Sequence, residues 1–114
     1  MSIMVANRNA VVLAKVVAGH LEEAGRALAD PHGRWGPDDP LPRRFALDEL
    51  RRLVLDAGLM IEASHGLHAF RDLVPNRLYE FDADEIVTEL EIAAEEHPAF
   101  QAIAGHLHVL ARSG

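Results

Sequence analysis

Residues 1–19 read MSIMVANRNAVVLAKVVAG, and the fold turns on how this stretch is read. Residues 2–6 (SIMVA) are short, apolar and partly β-branched, the composition of a strand buried on both faces. Directly after Asn7-Arg8-Asn9, apolar positions recur at threes and fours: Leu13, Val17, His20 and Leu21, Ala24 and Leu28. This spacing predicts an amphipathic helix from about residue 9 to residue 29, with Lys15, Glu22, Glu23 and Arg26 toward water. Gly19 within it predicts a kink or a close packing contact. The chain thus opens on what reads as the interior of a sheet.

Working outward, residues 30–44 (DPHGRWGPDDPLPRR) hold four of the six prolines and two glycines, and so form a long loop. It carries the single Trp, Trp35, together with Arg34, Arg43 and Arg44. Phe45 introduces a helix whose face is Leu47, Leu50, Val54 and Ala57. Gly58 stops it; Glu49 and a Phe45–Leu50 staple mark its start, although Ala46 is a poor cap. Residues 59–70 (LMIEASHGLHAF) predict a strand with a bulge or bend at Gly66. A helix follows from Asp82, where Asp82 and Glu85 resemble a capping box and Ile86, Leu90, Ala93 and Ala94 supply the stripe. Residues 98–104 form a turn or helical bridge, and residues 106–112 (HLHVLAR) a last strand. Alternating strands and helices argue an α/β fold with three strands and three main covering helices.

Composition removes several functions. The 114 residues suit one domain with one modest core; apolar residues make up 49% and charged residues 25%. With no cysteine there is no disulfide, zinc–thiolate site or thiol nucleophile. A net charge of −7 disfavours a general nucleic-acid binder. No apolar run reaches the ~20 residues of a bilayer span, and no signal-peptide pattern is present, so the expected location is cytoplasmic with no membrane partner.

Neither G-x-G-x-x-G nor G-x-x-x-x-G-K-[ST] occurs, so no phosphate-cradling loop is expected. The serines at 2, 64 and 113 lack a nucleophile motif, and Glu22-Glu23, Asp38-Asp39 and Glu95-Glu96 read as solvated carboxylates. His106 and His108 share one strand face, whereas His65 and His68, three apart, fall on opposite faces. A two-histidine site across the strands, with Glu62 or Asp72, is conceivable; satisfied or solvent-facing histidines are the expectation, and no metal is assigned. Trp35, Arg43 and Arg44 could form a substrate lid, Arg orienting a carboxylate or phosphate and Trp stacking on a ring, or Trp35 could plug the loop onto the core. Asn7 and Arg8 follow the first strand at its carboxyl end, the edge at which open α/β sheets bind ligands; Asn7 could equally cap the helix. The expected substrate-binding residues are Asn7, Arg8, Trp35, Arg43 and Arg44, with no catalytic residue assigned.

Several stretches taken in order resemble the C-terminal half of class I S-adenosylmethionine-dependent methyltransferases. The resemblance is nearest the tRNA 5-carboxymethoxyuridine methyltransferase group. It rests on a strand ending in Asn7 that leads to Val17-Ala18-Gly19, on RRFALDELRRLVLDAGL, on Gly66, Leu67, Phe70 and Asp72 of a G-[VL]-x-x-F-x-D segment, and on His108, Val109, Ala111 and Arg112 of a closing H-V-x-A-R strand. It covers essentially the whole chain.

The resemblance implies a partial Rossmann-like sheet. The three strands would be the fifth, sixth and seventh of that fold, with the seventh antiparallel and lying between the other two. Met1 would then lie inside a fold whose first strands, with the glycine-rich loop and acidic residue that hold S-adenosylmethionine, are missing. It also implies methyl transfer by in-line displacement to a carboxylate oriented by a cation, for which Arg8 is the candidate. The acceptor would be a tRNA or a small molecule. Alone, the chain is expected to bind no cofactor and to self-associate or pair with the missing half, because the unpaired first strand would leave an edge open. The rival reading is a non-enzymatic α/β interaction or dimerisation module that uses that edge.

Overall fold

A computed structural model describes residues 1–80 and 83–113. The elements are β1 (Ser2–Ala6), α1 (Arg8–Val17), α2 (Leu21–Ala29), α3 (Leu47–Asp56), β2 (Leu59–Leu67), α4 (Asn76–Tyr79), α5 (Ala83–Ala94), α6 (Pro98–Gln101) and β3 (His106–Ser113). The fold is α/β. Its sheet has the order β1-β3-β2, and β3 runs antiparallel to both neighbours, so that β1 and β2 are parallel to each other. The last strand therefore lies in the middle.

Alternation along β3 sets the core. Leu107, Val109 and Ala111 point to one face, where they are buried with Leu50 and Val54 of α3, and Ile3, Val5, Phe45, Leu47, Leu59 and Ile61 pack around them. The opposite face is largely bare: Met4 is 59% exposed and Met60 48%. The expectation that residues 2–6 are buried on both faces is thus corrected, because α3 covers only one.

Three further expectations change. The helix of residues 9–29 is two helices, since Gly19 takes a φ of 82° that ends α1 and lets the chain turn into α2. The strand of residues 59–70 stops at Leu67, because His68 adopts a φ of 62° and the chain enters a 3-10 turn at Arg71–Leu73. The irregularity in β2 falls between Ile61 and Ala63, not at Gly66, which pairs in register with Leu107. Gly66 serves packing instead: a Cβ there would meet the Ala104 Cβ and the Gln101 Cα, each at 2.8 Å. The capping box at Asp82 lies outside the described residues, and α5 is described from Ala83.

The edge of β1 is distinctive. Odd-numbered residues exchange backbone hydrogen bonds with β3, as Met1 does with Ala111 in both directions (2.7 and 2.8 Å) and as Asn7 N–H does with the Gly105 carbonyl (3.1 Å). The backbone groups of Ser2, Met4 and Ala6 therefore point the other way. Only the end of that edge is occupied: Phe45 N–H donates to the Ala6 carbonyl and Arg8 N–H to the Phe45 carbonyl, each at 3.0 Å. Among the described residues, no strand pairs with the rest of it.

Candidate functional site

The carboxyl ends of the parallel strands β1 and β2 meet the amino end of β3 on one side of the sheet. Asn7 sits there, 2% exposed. Its Oδ1 accepts from Asn9 N–H (3.0 Å), capping α1, and its Nδ2 donates to the Ala102 carbonyl (3.0 Å) and toward that of Gln101 (3.4 Å). The reading of Asn7 as the residue that ends the strand and caps the helix thus holds, and its amide is fully engaged by the protein itself.

Arg8 turns to the opposite side. Its guanidinium donates to the Asp30 and Pro31 carbonyls and to Glu49 Oε1 (3.3 Å). Arg43 approaches the other Glu49 oxygen at 3.6 Å and lies over the Phe45 ring. Burial alone would raise the Glu49 carboxyl, but the Ala46 N–H, the Arg8 hydrogen bond and the charges of Arg8 and Arg43 outweigh it and hold it below the usual range.

Residues 30–44 form a loop folded around Asp39. This carboxylate, 4% exposed, pairs with Arg44, 7% exposed, and accepts from the backbone N–H groups of Trp35 (3.1 Å) and Leu41 (3.0 Å). Burial pushes the Asp39 carboxyl up, but the Arg44 hydrogen bonds, the two N–H donors and the Arg44 charge overcome this and lower it to about 2. Arg44 also donates to the Gly33 carbonyl (3.1 Å). Gly33, at φ 66°, lies so close to Arg8 that a Cβ there would be 2.8 Å from the Arg8 Cβ. The Lys15 ammonium stands 3.9 Å from the centroid of Trp35, which fastens the loop to α1.

The concavity at this end of the sheet is a cleft of about 290 Å³, walled by Leu13 and Val17 of α1, by Ile103, and by His68, Asp72 and Leu73. Its lining is mainly apolar, with His68 and Asp72 as polar points, the usual make-up of a small-molecule site. The positive φ of His68 is tolerated because neighbours hold it: Gly105 N–H donates to the His68 carbonyl at 3.3 Å, and the His68 ring meets His106 edge-on. The turn that follows is pinned by Glu91 Oε1, which accepts from the N–H groups of Phe70 and Arg71. A larger, more open groove of about 440 Å³ runs past Arg26 and Arg34 along the loop. Arg34 is engaged there by the Asp39 and Leu41 carbonyls, so the cleft is the better candidate.

No protein-family model and no curated protein matches this chain. The sequence-derived residues fall into three groups rather than one. Asn7 holds the 101–102 turn, Arg8 and Arg43 share Glu49, and Trp35 and Arg44 surround Asp39. None of the five lines the cleft. Its polar residues, His68 and Asp72, belong to the segment from Gly66 to Asp72, whose glycine and closing acid were the signal available in the sequence. Among the described residues no helix is long and apolar enough to cross a membrane.

Proposed function

We propose that this chain is the C-terminal portion of a class I S-adenosylmethionine-dependent methyltransferase fold, contributing the acceptor side of the site and one edge of the sheet. The observation that supports this most is the sheet itself, an antiparallel last strand between two parallel ones with the outer edge of β1 open. The residues of this chain do not fit the cofactor. The turn after β1 is closed by its own contacts, Asn7 to the 101–102 carbonyls and Arg8 to the 30–31 carbonyls and Glu49. The cofactor would be held by the half that extends the sheet beyond β1, and no transfer step is derived from this chain alone.

In this reading the acceptor enters the cleft beside His68 and Asp72, and a cytoplasmic small molecule suits the apolar walls and the net charge of −7 better than a tRNA does. Asn7, Arg8, Trp35, Arg43 and Arg44 bear on the acceptor indirectly, by holding the end of β1 and the 30–44 loop. The test is the coding sequence in frame before Met1, expressed joined to this chain. A glycine-rich strand–loop–helix there, with S-adenosylhomocysteine binding by calorimetry to the joined protein, is expected; its absence, or no binding, overturns the proposal. The open edge of β1 also favours a second reading, a non-enzymatic α/β module that pairs through that edge, and a ribosome-binding site directly before Met1 would select it.

A further inference from the structure

On the bare face of the sheet, His65 of β2 and His108 of β3 stand directly opposite each other. Their rings are stacked with centroids 5.5 Å apart, and their Nδ1 atoms face each other at 3.3 Å. Each outward nitrogen has an oxygen partner: His65 Nε2 lies 3.3 Å from Glu96 Oε1, and His108 Nε2 contacts Ser2 Oγ. One choice of tautomers links the four groups in a single chain of hydrogen bonds. In it the Ser2 hydroxyl would donate to His108 Nε2, His108 Nδ1–H to His65 Nδ1, and His65 Nε2–H to Glu96.

The same geometry has a second state. If Ser2 Oγ accepts from His108 Nε2–H, the tautomer of His108 changes and both Nδ1 atoms carry a free lone pair. Two nitrogens bound to one tetrahedral zinc ion at about 2.0–2.1 Å are roughly 3.3–3.4 Å apart. That separation is found here, although the 5.5 Å between ring centroids sets the two Nδ1 atoms nearly head-on, so each ring must swing aside for both to meet one ion. Each ligating imidazole would also carry its other N–H to an oxygen acceptor, the arrangement that orients histidine ligands and raises their basicity. The carboxylate in this role is Glu96, whereas Glu62 pairs with Arg112 and Asp72 lies in the cleft.

We propose that His65 and His108 form a two-imidazole site for a divalent late first-row metal ion, with zinc as the reference ion, Glu96 and Ser2 as positioning residues, and water completing the shell. Among the described residues the pair belongs to no cluster of three or more His, Cys, Asp or Glu ligands. This site does not depend on the methyltransferase reading.

The test uses the untagged full chain titrated with zinc chloride by calorimetry, with cobalt(II) absorption as the optical report. Saturable binding is expected, and His65→Asn or His108→Asn should abolish it. Glu96→Gln should weaken it by about tenfold, and His106→Asn, on the same face but outside the pair, should leave it unchanged. Nitrogen-15 resonances of the wild-type imidazoles give a reading that needs no variant: zinc should shift Nδ1 of His65 and His108. No binding at millimolar zinc, binding that survives His65→Asn and His108→Asn, or shifts confined to other histidines would overturn the proposal.

Discussion

Arg44 and Asp39, five residues apart and both buried, close the 30–44 loop on itself. A surface ion pair of this type contributes little, but here either partner left alone is a charge without solvent. Arg44→Met is therefore expected to cost about 3–5 kcal/mol in urea unfolding. The sign of the pH dependence follows from the depressed Asp39 carboxyl, held at about 2 against an ordinary 3.8. Its contribution is complete above the unfolded-state value and is lost as pH falls through the folded-state value, so between about pH 4 and pH 2 the wild type should lose roughly 2 kcal/mol that Asp39→Asn does not. Parallel acid limbs for the two proteins would refute this.

Asn7 performs two tasks with opposite ends of one amide. Asn7→Ala removes the cap on α1 and the donor to the Ala102 carbonyl, and is expected to cost about 1–3 kcal/mol. Asn7→Asp keeps the cap but sets a carboxylate oxygen against the Ala102 and Gln101 carbonyls in a site that is 2% exposed. Its midpoint in thermal unfolding at neutral pH should therefore fall to or below that of the alanine variant; a midpoint near the wild type would show that the amide nitrogen does not hold the 101–102 turn.

Two glycines separate packing from backbone freedom. Gly66→Ala drives a methyl into Ala104 and the Gln101 backbone, and overpacking of this type costs about 1–3 kcal/mol. Gly25, inside α2, has nothing within 4 Å of the added Cβ. Gly25→Ala should stabilise by about 0.5–1 kcal/mol through the unfolded chain and helix propensity. Equal effects of the two substitutions in denaturant unfolding would count against the packing of α6 on β2.

How much of this was legible in the sequence depends on the range of the contacts. The helix of Leu47, Leu50 and Val54 and the strand of Leu107, Val109 and Ala111 follow from local periodicity, and both are found where the pattern places them. The extent of β2 was less legible, because His68 leaves the strand under contacts from Gly105, which lies far along the chain. Arg8 could be read as a residue at a reactive edge, but its partners come from Asp30, Pro31 and Glu49, which no spacing announces. The same holds for Asp39: as Asp38-Asp39 it reads as solvated, yet Arg44 and two backbone N–H groups bury it. The cleft escaped notice because its walls are ordinary apolar residues of α1 and its two polar groups sit in the segment after β2.

The open edge of β1 makes the last prediction. Ser2 and Met4 present their backbone groups outward while Met1 and Met4 are 69% and 59% exposed, a short apolar edge of the type that recruits another strand. In sedimentation velocity the chain alone is expected to self-associate as its concentration rises. Met4→Lys places a charge on that edge at a side chain already largely in water, so it should shift the protein toward monomer with little change in unfolding free energy. Phe45 pairs only at the Ala6 end, leaving four residues of β1 for the partner strand, Ser2 to Val5. A monodisperse wild-type monomer, or association that Met4→Lys leaves intact, would show that β1 is not the surface through which the chain pairs.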